Sequence, residues 1–183
     1  MKKIYLIRHP ETFANLNYNG PKDITKKGFR QMSALCDRLN DLEINCIVSS
    51  ELDRAAKMAF SLATEHPEAE LSLDSNLNEI DQRSIGLPKN VDSYFLSYFR
   101  DRCRVNRSYK RYFVDNDEKT SVIVAHGNII RYFLTKIIGT MPSAGRNFEL
   151  HQTSLTEVRK NRYWYVYSVN DYSHLSSKDL SSR

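Results

Sequence analysis

Apolar residues along this chain fall into two alternating kinds of run, and their order predicts the architecture. Lys3 to Ile7 is a short buried-strand pattern that stops at Arg8-His9-Pro10, where proline ends ladder pairing and biases His9 to extended backbone. Glu11 to Asp23, rich in Asn, Gly and Pro, reads as a loop. Thr25 is placed to cap a helix running to Leu39, with Phe29, Met32, Leu35, Cys36 and Leu39 on its buried face. Ile44 to Ser50 predicts a second strand, and Leu52 to Thr64 a helix packed through Ala55, Ala59 and Leu62.

Leu71 to Leu73 reads as a third strand, followed by an irregular stretch from Leu77 to Pro88 that holds Glu79. Ser93 to Phe113 predicts a long amphipathic helix. Phe95, Phe99, Cys103, Asn106, Tyr109 and Phe113 line one side, and Arg100, Arg104, Arg107 and Arg111 form a basic stripe on another. Ser121 to Ala125 is a β-branched strand, His126-Gly127 a tight turn, and Asn128 to Ile138 a helix. Thr153 to Arg159 and Tyr163 to Val169 alternate as a hairpin, and the polar end from Ser176 is expected to fray.

Strands alternating with helices indicate a three-layer α/β/α sandwich, a mostly parallel central sheet covered on both faces. No linker or repeat interrupts it, so 1–175 reads as a single domain and 176–183 as a polar tail. Ligands of such sheets gather at the carboxyl ends of strands. Arg8-His9, Ser49-Ser50 and His126-Gly127 all follow predicted strands directly, so three separate segments converge on one edge.

The 183 residues carry 27 basic and 22 acidic side chains, a formal charge of +5, which suits an anionic substrate. No nucleic-acid-binding signature accompanies that charge, so nucleic acid is not an expected partner. Three cysteines without a CxxC pair read as reduced thiols rather than a disulfide frame or zinc site. No apolar run approaches the ~18 residues of a membrane span, and the apolar start is too short for a signal-peptide core. A cytoplasmic protein with no membrane partner is the expectation, with self-association left open.

Two histidines, two arginines and one carboxylate can move a phosphoryl group through a phosphohistidine without metal or cofactor. A neutral imidazole is a nucleophile toward phosphorus, and arginine forks bind the spread charge of the transferring group. A protonated carboxyl can give its proton to the leaving oxygen. Glu79 is the candidate acid, with Asp81 and Glu11 as neighbours that could substitute. Taken singly each residue is unremarkable; a lone histidine after a strand is usually a surface or satisfied core residue. Their order and placement favour the functional reading.

Arg8-His9 with Glu11-Thr12, then "SSELDRA", "LNE" and "VAHGNIIR" resemble the histidine phosphatase superfamily, the phosphoglycerate mutase-like fold. The resemblance implies that His9 is the phosphorylated histidine, that Arg8, Arg54 and His126 form the phosphate pocket, and that Glu79 is the proton donor. Asn15 matches a pocket-side polar position, and Gly127 joins the phosphate-binding set. The short interval from Glu79 to His126 favours a phosphatase over the longer cofactor-dependent mutases. The stretches "SYFRDRCRVNRSYKRYF", "HGNIIRYFL" and "TSLTEVRKNRYWYVYSVNDYSHL" are similar to the mitochondrial serine/threonine phosphatase branch, which implies a phosphoprotein substrate. A sugar or metabolite phosphatase, a mutase, or a phosphate-binding module without turnover are the alternatives. Two positions depart from the family pattern: Pro10 and Ile80 stand where glycine is common. Pro10 removes an N–H beside the nucleophile, and Ile80 is expected to raise the pKa of Glu79.

Overall fold

The computed structural model describes residues 1–16, 23–81, 94–115 and 120–180, without the side chains of residues 15, 16, 94 and 95. The Asn- and Gly-rich centre of the first loop, the end of the Glu79 loop and the side chains of Asn15 and Phe95 lie outside that description. Six strands form one sheet in the order β3-β2-β4-β1-β5-β6. They are β1 (Lys2–Arg8), β2 (Cys46–Ser49), β3 (Glu70–Leu73), β4 (Thr120–Ala125), β5 (Leu155–Lys160) and β6 (Trp164–Asp171). The first four run parallel, and the β5–β6 hairpin adds to β1 antiparallel. The helices are α1 (Phe13–Leu16), α2 (Lys26–Leu39), α3 (Asp53–Glu65), α4 (Tyr94–Tyr109) and α5 (Gly127–Ile137).

Alternation along the strands creates two cores. Ile4 and Leu6 of β1, with Val48, Ile123 and Ala125, pack under α4 and α5 against Val105, Phe113, Ile129 and Phe133. Tyr5 and Ile7, with Ile47, Val122 and Val124, pack under α2 and α3 against Leu35, Leu39, Met58 and Leu62. The inner parallel strands β1, β2 and β4 are therefore apolar on both faces, as a sheet covered by helices on both sides requires, while the edge strand β3 is partly exposed. The predicted three-layer arrangement is the one observed. Among the described residues no helix is long and apolar enough to cross a membrane, and all three cysteines are free thiols.

Thr25 caps α2 as expected, its hydroxyl accepting from the Gly28 N–H at 2.9 Å. Phe29, however, is 55% exposed, while Gln31 is completely buried. Gln31 accepts from the Glu11 N–H at 2.9 Å and donates to the Asp179 carbonyl at 2.7 Å. Those two bonds decide which face turns inward. They also tie down the tail that was expected to fray, with Arg30 donating to the Asp179 carboxylate at 2.8 Å. Helix α4 is rotated likewise: Phe99 and Cys103 face solvent, and Tyr98, Asp101, Val105 and Ser108 are buried.

Gly28 sits where α2 passes the loop behind His9. A Cβ there would lie 2.2 Å from the Glu11 carbonyl oxygen and 2.7 Å from Ile24 Cγ2. Glu11 cannot move away, because Lys27 at 3.0 Å and the Thr25 hydroxyl at 2.9 Å hold its carboxylate. Gly28→Ala is expected to destabilise the fold by about 1–3 kcal/mol, as overpacking does. Urea unfolding is the measurement, and an unchanged midpoint would contradict the close approach.

Candidate active site

Register brings the predicted residues together. Arg8 pairs with Ala125 across β1 and β4, and Ser49 with Val124 across β2 and β4. The residues that follow, His9, His126 and Ser50, therefore leave three adjacent parallel strands at one level. The His9 N–H donates to the Ala125 carbonyl and the Ser50 N–H to the Val124 carbonyl, each at 3.0 Å, so the ladder continues to the edge of the cleft. The two imidazoles lie with ring centroids 5.1 Å apart.

His9 is almost completely buried, and its Nδ1 lies 2.8 Å from the Pro10 carbonyl oxygen. A carbonyl only accepts, so Nδ1 carries the proton and Nε2 keeps its lone pair. Burial, then the neighbouring His126, Arg54 and Arg8, hold the His9 pKa well below the ordinary imidazole value. The ring is neutral at pH 7. Pro10 contributes its carbonyl here, a group that does not depend on the missing N–H.

His126 closes the strand-to-helix turn before α5 and is fully buried. Arg54, in the first turn of α3, donates to its Nδ1 at 3.1 Å. Guanidinium cannot accept, so the His126 proton resides on Nε2 and is donated to the Ser50 hydroxyl at 2.8 Å. Ser50 passes its own proton to Asn78 Oδ1 at 2.7 Å, which also accepts from the Glu51 N–H. This chain couples the second histidine to the residue preceding Glu79. Burial first, with Arg54, Arg8 and Arg104 adding to it, lowers the His126 pKa well below its usual value.

Arg8 donates to the Leu150 carbonyl in the segment that leads into β5. There the Thr153 N–H returns to the Arg8 carbonyl at 3.0 Å. Thr153 has φ of 55°, a left-handed backbone that strains a β-branched residue and recurs beside functional sites. Gly127 opens α5, and a Cβ on it would meet the Arg131 guanidinium at 3.3 Å and Arg8 Nε at 3.6 Å. Its bare Cα lets both arginines lie against the helix start. No side chain caps that helix start, which leaves first-turn N–H groups for an anion.

Glu79 is half-buried, and desolvation raises its carboxyl pKa to about 7. The Ile80 N–H, Arg8, Arg54 and the Asn128 backbone oppose that rise without cancelling it. The Glu79 pKa is raised as expected, although the Ile80 N–H, which donates to Glu79 Oε1 at 3.1 Å, opposes the rise. The apolar side chain of Ile80 anchors the loop in the core. Glu11, a possible substitute acid, is held by Lys27 and Thr25. Asn15 lies in α1, and its side chain is outside the description. Among the described residues, no group of three or more His, Cys, Asp or Glu side chains is placed to hold a metal ion.

Arg131, Asn78 and Asn128 escaped the sequence reading, which placed Ser50 at the sheet edge without giving it a role. Arg131 lies one helical turn beyond Gly127, and its pKa responds to the charge of Glu79; the i,i+4 spacing within "HGNIIR" could have found it. Ser50 and Asn78 hold the His126 chain, and Asn128 donates to the Ile80 carbonyl at 2.9 Å. Nothing in the local patterns of Asn78 and Asn128 distinguishes them.

A cluster of buried imidazoles and arginines at the strand ends and the start of α3, beside a carboxyl whose pKa burial raises to about 7, can hold the spread negative charge of a phosphoryl group. The family model for the histidine phosphatase superfamily (branch 1) matches residues 4–85 and 97–171. The chain belongs to that superfamily. It is 29% identical over 168 residues to the mitochondrial serine/threonine-protein phosphatase Pgam5 of Drosophila willistoni, a match covering 85% of this chain and 57% of that protein. This chain therefore spans just over half the length of that relative. It is 24% identical over 220 residues to the probable phosphoglycerate mutase GpmB of Erwinia tasmaniensis, across 98% of each. Among solved structures, a mutant phosphoserine phosphatase from Entamoeba histolytica in complex with phosphoserine superposes with TM-score 0.77. That likeness covers 96% of this chain and 100% of the other at 22% identity, and concerns the fold.

Proposed function

We propose that this chain is a phosphatase that hydrolyses phosphomonoesters through a phosphohistidine on His9. The observation that carries the reading is the His9 tautomer: Nδ1–H is committed to the Pro10 carbonyl, which leaves Nε2 unprotonated in a cationic cleft. Nε2 attacks phosphorus as the ester P–O bond breaks, and the Glu79 carboxyl gives its proton to the departing oxygen. Glu79, now a carboxylate, takes a proton from water as the water oxygen attacks phosphorus. The P–N bond then breaks, releasing phosphate and restoring neutral His9. Arg8 and Arg54, with the first-turn N–H groups at the Gly127 end of α5, bind the equatorial oxygens; the two guanidinium groups supply the positive charge, and neutral His126 holds Arg54 in place.

The substrate reading we favour is a phosphoserine or phosphothreonine protein, supported by the similarity to Pgam5 along 85% of this chain. The second reading is a metabolite phosphatase or mutase, favoured by the GpmB match across 98% of both chains. Phosphopeptides and small phosphate esters compared by kcat/KM, in EDTA, separate them. Phosphopeptides are expected to be turned over at least ~10-fold better. Preference for a metabolite, or phosphate moved between two positions of one substrate without release, would select the second reading. Cell fractionation decides between a cytoplasmic address and the mitochondrial one in the relatives' name.

A further inference from the structure

The arginine stripe of α4 is not one solvated face. Arg100 and Arg107 are exposed, whereas the Arg104 side chain is only 17% exposed and turns toward the loop that carries Glu79. Its Nη1 lies 3.1 Å from the Ser75 carbonyl oxygen, 3.0 Å from that of Asn76 and 2.6 Å from that of Asn78. Its Nη2 lies 3.2 Å from the Glu79 carbonyl oxygen and 3.4 Å from Asp101 Oδ1. One guanidinium thus gathers four consecutive-turn carbonyls, including that of Glu79 itself. They belong to the 3-10 turn Ser75–Leu77 and its exit, where the Ser75 carbonyl also accepts from the Asn78 N–H at 3.1 Å.

Asp101, one turn earlier on α4, completes the grip by accepting from the Asp81 N–H at 3.4 Å. The Asp101–Arg104 pair therefore holds the chain on both sides of Glu79. From the far side, the loop is held by Asn128 on the Ile80 carbonyl and by Ser50 on Asn78. Glu79 spends one oxygen on the Ile80 N–H. The direction in which its carboxyl faces the cleft depends on where the 75–81 backbone is fixed.

We propose that Arg104 is a positioning residue for the Glu79 carboxyl, setting its reach to the leaving oxygen without touching the substrate. The proposal rests on the acid role given to Glu79 above. Lysine cannot replace Arg104 fully, since one ammonium offers three donors from a single point where the guanidinium spreads five over a plane. Small displacements of a proton donor are costly, with about 100-fold losses for misplacements near 1 Å.

A leaving group that needs no proton separates this role from a structural one. Arg104→Met is expected to lower kcat/KM on an alkyl phosphate by about 10- to 100-fold, a measure that ends at departure of the alcohol and so leaves out the Glu79-assisted hydrolysis common to all substrates. The loss on p-nitrophenyl phosphate should be less than about 3-fold, since that phenolate departs without help. Arg104→Lys should fall between wild type and Arg104→Met on the alkyl substrate, and the upper limb of the kcat pH profile should shift in both variants. Equal losses on the two substrates, or no loss on either, would overturn the positioning role. Glu79→Gln, run in parallel, tells the two claims apart. If it shows the alkyl-selective loss and Arg104→Met does not, only the positioning claim fails. If Glu79→Gln lacks that selectivity, the acid role fails and takes the positioning claim with it.

Discussion

His9→Ala is expected to abolish turnover, reducing kcat by about 10⁴-fold or more. The reason is specific to this site. Among the described residues His126, the other imidazole of the cleft, has no free lone pair to attack with: its Nδ1 faces Arg54 and its Nε2–H donates to Ser50. The variant should still bind phosphate, because Arg8 is aimed by the Leu150 carbonyl and Arg54 by α3, independently of the His9 ring. Rapid acid-sensitive labelling with a radioactive phosphomonoester checks the intermediate directly. Wild type should trap label on His9, and the variant should trap none while retaining phosphate affinity within a few-fold. Full activity in His9→Ala would end the phosphohistidine mechanism.

Replacing Glu79 by glutamine should lower kcat on alkyl phosphates by about 10²- to 10⁴-fold, the range of a lost general acid. Burial raises this carboxyl to about 7, far above an ordinary glutamate. The proton-bearing form is the donor, so it dominates below that value and is lost as pH rises through it. For alkyl substrates kcat/KM should therefore fall above about pH 7. Bound phosphate dianion is a like charge and raises the carboxyl pKa further, so the limb in kcat should lie higher than the limb in kcat/KM. In Glu79→Gln both limbs should vanish. A wild-type profile that survives the substitution would assign the acid to another group.

The strand-end residues were legible in the sequence because their signals are local. A β-branched run ending in His-Gly, or an apolar run ending in Arg-His-Pro, specifies both an element and its stopping point. Parallel sheet logic then places those stops side by side. What escaped was decided by partners distant in sequence. Phe29 faces solvent because Gln31, two residues on, is claimed by Glu11 and Asp179. Arg104 looked like one of four equivalent arginines, and only the carbonyls of residues 75–79 single it out. Burial of polar groups follows from who meets them, which periodicity alone does not encode. Ile80 shows the same limit. Its side chain suggested the raised pKa that burial gives Glu79, but the opposing hydrogen bond from its backbone N–H has no signature in the sequence.

The turn Ser176–Asp179 has a consequence for anyone handling this molecule. Asp179 grips Gln31, Gln31 grips the Glu11 N–H, and Glu11 stands two residues from the imidazole at position 9. That turn is thus separated from the cleft at His9 by a short relay of hydrogen bonds. A label attached at Asp179 is not a neutral handle, because it disturbs the Gln31 amide that holds the bend behind His9.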